Sequence, residues 1–314
     1  MYWWWTCVGF NNIIGNEKVK NILKKSLNNN TVLHSYMFIG NEGIGKKMMA
    51  IHYAKKILCE NYEDNECNNC KSCIEFDGEN NPDFAYIEPE GRNIKIEQIR
   101  QMQTKIIEKP VNSAKKVYII NDADLMTKEA QNCLLKTLEE PPEYIVIILI
   151  VSNENKMLTT IKSRCMKIYF DKISDDEIVK FLTDKCNVKN LNNNIIKMCD
   201  GSIGKCLTVN EKIEDYNEIE KIFSNINLGI AKLFNSSEIL YKNKENIYDY
   251  LDYINVILYE NAINNKNNNI KFLNSIKIVE QTKQRLLSNS NYDMCIDYLL
   301  LNIWEEINEK NSRC

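Results

Sequence analysis

The sequence predicts a parallel α/β domain followed by an all-helical remainder, and three observations carry that prediction. Short apolar runs alternate with longer helical stretches from about Phe10 to Phe170, which is the pattern of strands whose crossovers cover both faces of a sheet. One of these runs passes directly into a glycine-rich turn that opens a helix. After Asp171 the strand signals stop. A chain of 314 residues accommodates two or three domains, placed here at 1–170, 171–209 and 210–314.

The elements follow in chain order. Ser35–Ile39 reads as a buried strand, then come the turn Gly40–Gly45 and a helix from about Lys46 to Leu58. Asp83–Ile87 is a second strand. Ile96–Glu108 is helical, with Ile96, Ile99, Met102, Gln103 and Ile106 spaced by three or four. Val117–Ile120 is a third strand. Thr127–Glu139 is a helix with Thr127 as N-cap, an apolar stripe at Ala130, Leu134, Leu135 and Leu138, and a stop at Pro141-Pro142. Tyr144–Val151 is a central strand and Met166–Phe170 another. Beyond them, Ser174–Cys186 and Ile195–Cys199 form a small helical domain with a Gly201-Ser202-Ile203-Gly204 turn. From about Glu211 onward the apolar stripes, among them Ile219, Ile222, Tyr250, Leu251, Ile254, Leu299 and Ile303, describe a helical bundle.

Composition narrows the function classes. Apolar residues make up 44% and charged residues 26%, with a formal charge of −3. A chain gripping DNA by itself normally carries a basic excess, so a stand-alone DNA-binding protein is disfavoured, whereas a subunit meeting DNA through partners is not. No run of about 18 apolar residues is present, which argues against a membrane span. Met1–Val8, with Trp3, Trp4 and Trp5, lacks the basic region and cleavage site of a signal peptide, and the expected location is the cytoplasm. The Trp run anchors to a surface, packs on the first domain or reflects a misassigned start codon, with the last two readings favoured.

Gly40-Asn41-Glu42-Gly43-Ile44-Gly45-Lys46-Lys47 nearly fits G-x-x-x-x-G-K-[ST]. Gly40, Gly43 and Gly45 let backbone N–H groups turn toward phosphate oxygens at a helix N-terminus, and Lys46 is placed to reach terminal phosphates. Lys47, however, stands where a hydroxyl should meet Mg²⁺. The third strand ends in Asn121-Asp122-Ala123-Asp124, so an amide takes the first acidic place of the metal-binding pair. Asp122 compensates only if the register slips by one. Two losses at one metal centre predict a phosphate loop kept as framework, without ATP–Mg turnover of its own.

Of the 12 cysteines, Cys59, Cys67, Cys70 and Cys73 form C-x7-C-x2-C-x2-C. In a reducing compartment such a cluster points to a metal rather than to disulfides. Four thiolates close a tetrahedral structural zinc with no open position, and metal binding would order the polar segment carrying Asn65, Glu66, Asn68, Asn69, Lys71 and Ser72. An iron–sulfur cluster also suits the spacing, and four free thiols remain the bland alternative. The scattered cysteines, such as Cys133, Cys186 and Cys199, read as small core or surface residues.

Further motifs carry a resemblance. Leu134-Leu135-Lys136-Thr137-Leu138-Glu139-Glu140-Pro141-Pro142, an apolar strand, and then Thr160-Ile161-Lys162-Ser163-Arg164-Cys165 stand in an order that is similar to the clamp-loader branch of the AAA+ proteins. Ile13-Ile14-Gly15-Asn16, Leu33-His34-Ser35-Tyr36 and Asn81-Pro82-Asp83 add to it. The cysteine module and the degenerate phosphate loop resemble the delta-prime type of subunit in particular. The motifs span about Phe10 to Cys165, and the C-terminal half matches only in layout. The resemblance implies an AAA+ P-loop domain with a zinc insert at 59–73, a helical lid at 171–209 and a helical collar at 210–314. It implies a five-membered ring with gamma/tau motor subunits and a delta subunit, loading a sliding clamp onto primed DNA within a DNA polymerase III assembly. It assigns Arg164, with Ser163 and Cys165 of its motif, to a neighbour's γ-phosphate in trans, where a permanently charged planar guanidinium suits a transferring phosphoryl group. A surface Arg paired with a nearby carboxylate is the alternative. Ser152 and Asn153 fall in the family's first sensor region, and Lys205 near a second.

Overall fold

In a computed structural model, residues 13–61, 67–186, 192–224, 226, 229–265 and 269–308 are described; the Trp run expected to pack on the first domain lies outside them. The chain divides into two compact units, Met1–Glu177 with Ser202–Gly204, and Ile178–Gly201 with Lys205–Cys314.

The first unit is built on five parallel strands in the order β2-β3-β4-β1-β5. They are β1 (Ser35–Ile39), β2 (Phe84–Ile87), β3 (Lys116–Ile120), β4 (Ile145–Val151) and β5 (Met166–Tyr169), within a residue or two of the expected spans. Its helices are α1 (Glu17–Asn28), α2 (Lys46–Leu58), α3 (Lys71–Asp77), α4 (Ile96–Ile106), α5 (Lys128–Glu139) and α6 (Thr159–Lys162). β1, β3 and β4 are buried along their whole length, which is why they read as unbroken apolar runs rather than as alternating ones.

Successive side chains of a strand point to opposite faces, and the core divides accordingly. On one face Tyr36, Phe38, Val117, Ile119, Val146, Ile148 and Ile150 pack with residues of α1 and α2, such as Leu23, Met49 and Tyr53. On the other, Met37, Ile39, Tyr118, Ile120, Ile147 and Leu149 pack with Ile99 and Met102 of α4 and Leu134 and Leu138 of α5. The register pairs Ile39 of β1 with Val151 of β4, and Ile120 of β3 with Leu149 of β4. The C-terminal ends of the three central strands therefore lie side by side. In an open parallel sheet that edge is where a binding crevice forms.

The second unit is helical: the remainder of α7 (Asp175–Cys186), α8 (Asn193–Cys199), α9 (Ile203–Glu211), α10 (Ile213–Ser224), α11 (Ile230–Ser236), α12 (Glu238–Lys242), α13 (Ile247–Asn264), α14 (Asn269–Leu287) and α15 (Tyr292–Asn308). Tyr216 lies edge-on to both Tyr250 and Tyr253, with ring centroids 5.7 and 5.1 Å away. The Tyr250 and Tyr253 hydroxyls donate to Asp215 and Glu220, which satisfies polar tips carried into an apolar bundle. Cys199, expected as a small core or surface residue, is instead joined to Cys206 in a disulfide. The seven-residue separation and a Cα–Cα distance of 5.3 Å bring the two together across the Gly201–Gly204 turn. No helix among the described residues is long and apolar enough to cross a membrane.

Candidate functional site

The phosphate-loop residues meet where the sequence places them, between β1 and α2. Gly45 is the N-cap of α2. Gly43 sits at φ +76°, and a Cβ there would stand 2.1 Å from the Ser202 hydroxyl. The segment 202–204 closes against the loop, and the Gly204 N–H donates to the Gly43 carbonyl at 3.1 Å. Lys46 is buried, and its ammonium donates to the carbonyls of Gly40 and Asn41, both at 2.6 Å, and to Ser152 Oγ at 3.4 Å. Burial lowers its pKa, against the carboxylates of Asp122, Asp124 and Glu42.

The residues at the motif's metal-binding positions have the following partners. Lys47 stands over the Tyr86 ring, with its Nζ 4.7 Å from the centroid, a cation–π contact at the position where a Mg²⁺-binding hydroxyl is needed. Asn121 donates from its side-chain amide to Asp122 Oδ2 at 2.8 Å. Asp122 is in the left-handed region, φ 48°, and its carboxyl is pushed up by burial and by the nearby Asp124 and Glu42. Asp124 is buried and accepts from the Ser152 N–H at 3.0 Å, so it ties β3's end to β4's end. That bond, and the seat of Ser202 against Gly43, are tertiary contacts that sequence spacing did not reveal. Asn153 caps its own short turn by accepting from the Asn155 N–H.

The four cysteines converge. Their sulfurs all lie within 4.8 Å of one another, with Cys59 to Cys67 at 3.4 Å and Cys67 to Cys73 at 3.9 Å. Ligands about 2.3 Å from a tetrahedral zinc stand roughly 3.8 Å apart, so the set fits that ion. Cys59 follows α2, and Cys70 is the N-cap of α3 and accepts from the Cys73 N–H. The N–H of Cys67 donates to Cys59 Sγ, and that of Cys70 to Cys67 Sγ; such bonds favour thiolate over thiol. At Cys67 burial raises the pKa, yet the Asn69 and Cys70 N–H groups and the neighbouring thiols outweigh it and bring it to about 6. Lys55 pins the module by donating to Asn68 Oδ1 at 2.7 Å and Asp77 Oδ2 at 2.9 Å. Asn65 and Glu66 of the expected segment lie outside the described residues.

Arg164 lies apart from the phosphate loop, at the start of β5. Its Nη2 meets Glu139 Oε1 at 2.8 Å, and its Nη1 donates to the Thr160 carbonyl at 2.8 Å and to Ser163 Oγ at 3.5 Å. The carboxylate partner allowed for in the sequence is thus Glu139, from the Leu-Glu-Glu-Pro-Pro motif. Cys165 is buried, and burial pushes its thiol up to about 11, with Ser35 opposing. It therefore packs as a neutral residue.

Similarity to known proteins follows this geometry. The family model for DNA polymerase III, delta subunit, matches residues 15–174, about half of the chain and nearly all of the sheet-bearing unit. The chain belongs to the clamp-loader family of DNA polymerase III subunits. It is 35% identical over 161 residues to DNA polymerase III subunit delta' of Bacillus subtilis, covering 51% of this chain and 49% of that protein. It is 31% identical over 219 residues to subunit gamma/tau of Mycoplasma pneumoniae, covering 68% of this chain and 32% of that protein. The matches thus span from about a third to a half of these relatives' length. Among solved structures, a gamma subunit-related protein from Thermotoga maritima superimposes with a TM-score of 0.53 at 16% identity, covering 91% of this chain and 99% of that one. That likeness shows a shared fold.

Proposed function

We propose that this clamp-loader family member is a non-hydrolysing subunit of the delta-prime type, acting in the cytoplasm as part of a DNA polymerase III assembly. The observation that carries the reading is the position of Lys47. A cation sits on the Tyr86 ring where the loop's metal ligand belongs, and Asn121 supplies an amide in place of the first carboxylate. A positive charge in the hydroxyl's place and a neutral amide in the first carboxylate's place remove two ligands that these motifs would offer Mg²⁺. Gly40, Gly43, Gly45 and Lys46 are then framework, binding nucleotide weakly or not at all.

In this reading the chemistry lies with Arg164. The guanidinium is delivered across a subunit boundary to the γ-phosphate held by a gamma/tau motor subunit, where it offsets charge spread over the transferring phosphoryl oxygens. Residues 171–209 serve as lid and 210–314 as collar in a five-membered ring that includes a delta subunit and loads a sliding clamp onto primed DNA. Cys59, Cys67, Cys70 and Cys73 hold a structural zinc. Their all-sulfur set, with sulfurs spaced to suit tetrahedral closure, supports zinc over an open catalytic site.

A second reading, an active gamma/tau-like motor ATPase, draws on the 68% of the chain that the M. pneumoniae gamma/tau subunit matches. ATPase assays separate the two. The isolated chain is expected to release negligible phosphate, and Arg164→Ala in the reconstituted complex to lower clamp- and DNA-stimulated hydrolysis by about 10³-fold at the boundary it serves. Robust Mg²⁺-dependent turnover by the isolated chain favours the motor reading, and full activity of the Arg164→Ala complex removes the trans role.

A further inference from the structure

We propose that Glu139 is a positioning residue for Arg164, whereas its neighbour Glu140 is not; the proposal rests on the trans role of Arg164 put forward above. The two glutamates are adjacent in sequence, and only the structure separates them. Glu139 is the last residue of α5, so the helix fixes its backbone. Its Oε1 lies 2.8 Å from Arg164 Nη2.

Arg164 is held from several sides. Its N–H donates to the Ile161 carbonyl at 3.0 Å, and its own carbonyl accepts from Ser35 Oγ at 2.7 Å, which locks the main chain to β1. Its Nη1 is tied to Thr160 O and Ser163 Oγ. A guanidinium has five N–H donors in one plane. Those contacts and the Glu139 bond engage three of them, leaving the Nε–H and the second Nη2–H for a phosphate oxygen. Anchors on both terminal nitrogens fix the orientation of the plane. With the Glu139 bond lost, the group swings about its Nη1 contacts.

The pair is partly exposed, 34% for Arg164 and 49% for Glu139, so it adds little to stability. Its effect is orientation, which matters where a displacement of about 1 Å costs some 10²-fold in rate. A carboxylate this accessible also leaves the guanidinium free to take a second anion.

The test is single-turnover ATP hydrolysis by the reconstituted complex, with sliding clamp and primed DNA. Arg164→Ala first identifies the kinetic phase belonging to the boundary this chain serves. Glu139→Gln is expected to slow that phase about tenfold, with unchanged ATP dependence, unchanged co-elution of subunits and unchanged remaining phases. Glu140→Gln should match wild type, and Glu139→Gln should add nothing on top of Arg164→Ala. If Glu139→Gln leaves the Arg164-dependent phase at full speed, or slows the other phases as well, the positioning role is wrong while the trans role stands. If Arg164→Ala removes no phase, the trans role itself fails and this inference goes with it.

Discussion

Asp122 shows how burial and neighbouring carboxylates act together on one side chain. Its carboxyl is pushed up by burial and by Asp124 and Glu42, against Lys46 and Lys47, so folding favours its neutral form. The sign follows: a carboxyl whose folded pKa is raised imposes a penalty that is absent at low pH and grows as pH rises through the folded value. Asn copies the neutral shape and tolerates the left-handed φ of 48°. Asp122→Asn should therefore raise the melting temperature at pH 7, with the gain shrinking as pH falls from the raised folded value toward the ordinary carboxylate value of about 4, and gone below it. Calorimetry across that range checks it; a gain that persists undiminished at the acidic end would show that charge is not the cause. At this scale sequence was informative about residue type and uninformative about partners. Lys47 and Asn121 depart by identity alone from the hydroxyl and carboxylate of the motifs, and the proposed loss of metal binding rests on them. The salt bridge between Glu139 and Arg164 spans 25 positions, and the Cys199–Cys206 pairing needs the intervening turn to fold back. Neither follows from spacing.

Elements that rest on local signals were legible. α5 begins where Thr127 accepts from the Ala130 N–H, and it stops before Pro141. Thr127→Ala should cost about 1 kcal/mol, read as a shift in denaturant midpoint at constant slope. α1, α3 and the four-residue α6 were not foreseen. α1 lacks a side-chain N-cap, with Asn16 left-handed, although Val19, Leu23 and Leu27 did carry an i, i+4 stripe. α3 is short and polar, and distant contacts hold it: Ser72 with Ser113 Oγ at 3.1 Å, and Asn81 donating to Ser72 O at 2.9 Å. The loop before α2 gives a sharper test. Gly43→Ala places a Cβ 2.1 Å from Ser202 Oγ at a positive φ, whereas Gly91→Ala, also at positive φ, meets nothing within 4 Å. Both incur the left-handed cost of roughly 1–2 kcal/mol, and Gly43→Ala should lose distinctly more stability in thermal denaturation. Equal losses would mean that the 202–204 segment yields freely and does not close on the loop.

On the scale of the molecule, the parallel sheet was readable because β1, β3 and β4 are buried on both faces and so appear as continuous apolar runs. The strand order was not, because order depends on which crossovers pack over which face. The four cysteines cluster beside this core, joined to it through Phe76 of α3, which packs on Phe84 of β2, and that location predicts how the chain would respond to removal of a metal held there. Beyond that contact the module is tied to the 111–113 loop: Ser72 Oγ lies 3.1 Å from Ser113 Oγ, Asn112 donates to Glu75, and Lys71 donates to Asn112. The buried carboxylate of Asp83 meanwhile holds the 111–113 loop by accepting three backbone N–H bonds from Val111, Asn112 and Ser113, and this anchor needs no metal. Among the described residues of the segment from Cys59 to Phe76, Cys59, Cys70, Cys73 and Phe76 are the buried apolar side chains, so sulfur–metal bonds are the expected source of its ordering energy. Protein purified without added metal is expected to contain one zinc per chain. A strong chelator, or Cys73→Ser, should abolish hydrogen-exchange protection across α3 while amides of β3 and β4 keep theirs, since those strands close their ladder without any part of the module. Loss of protection throughout the sheet would make the metal a keystone of the whole fold. A chain without metal that keeps α3 protected would show that hydrogen bonds such as Lys55 to Asn68 and Asp77 suffice to order the module.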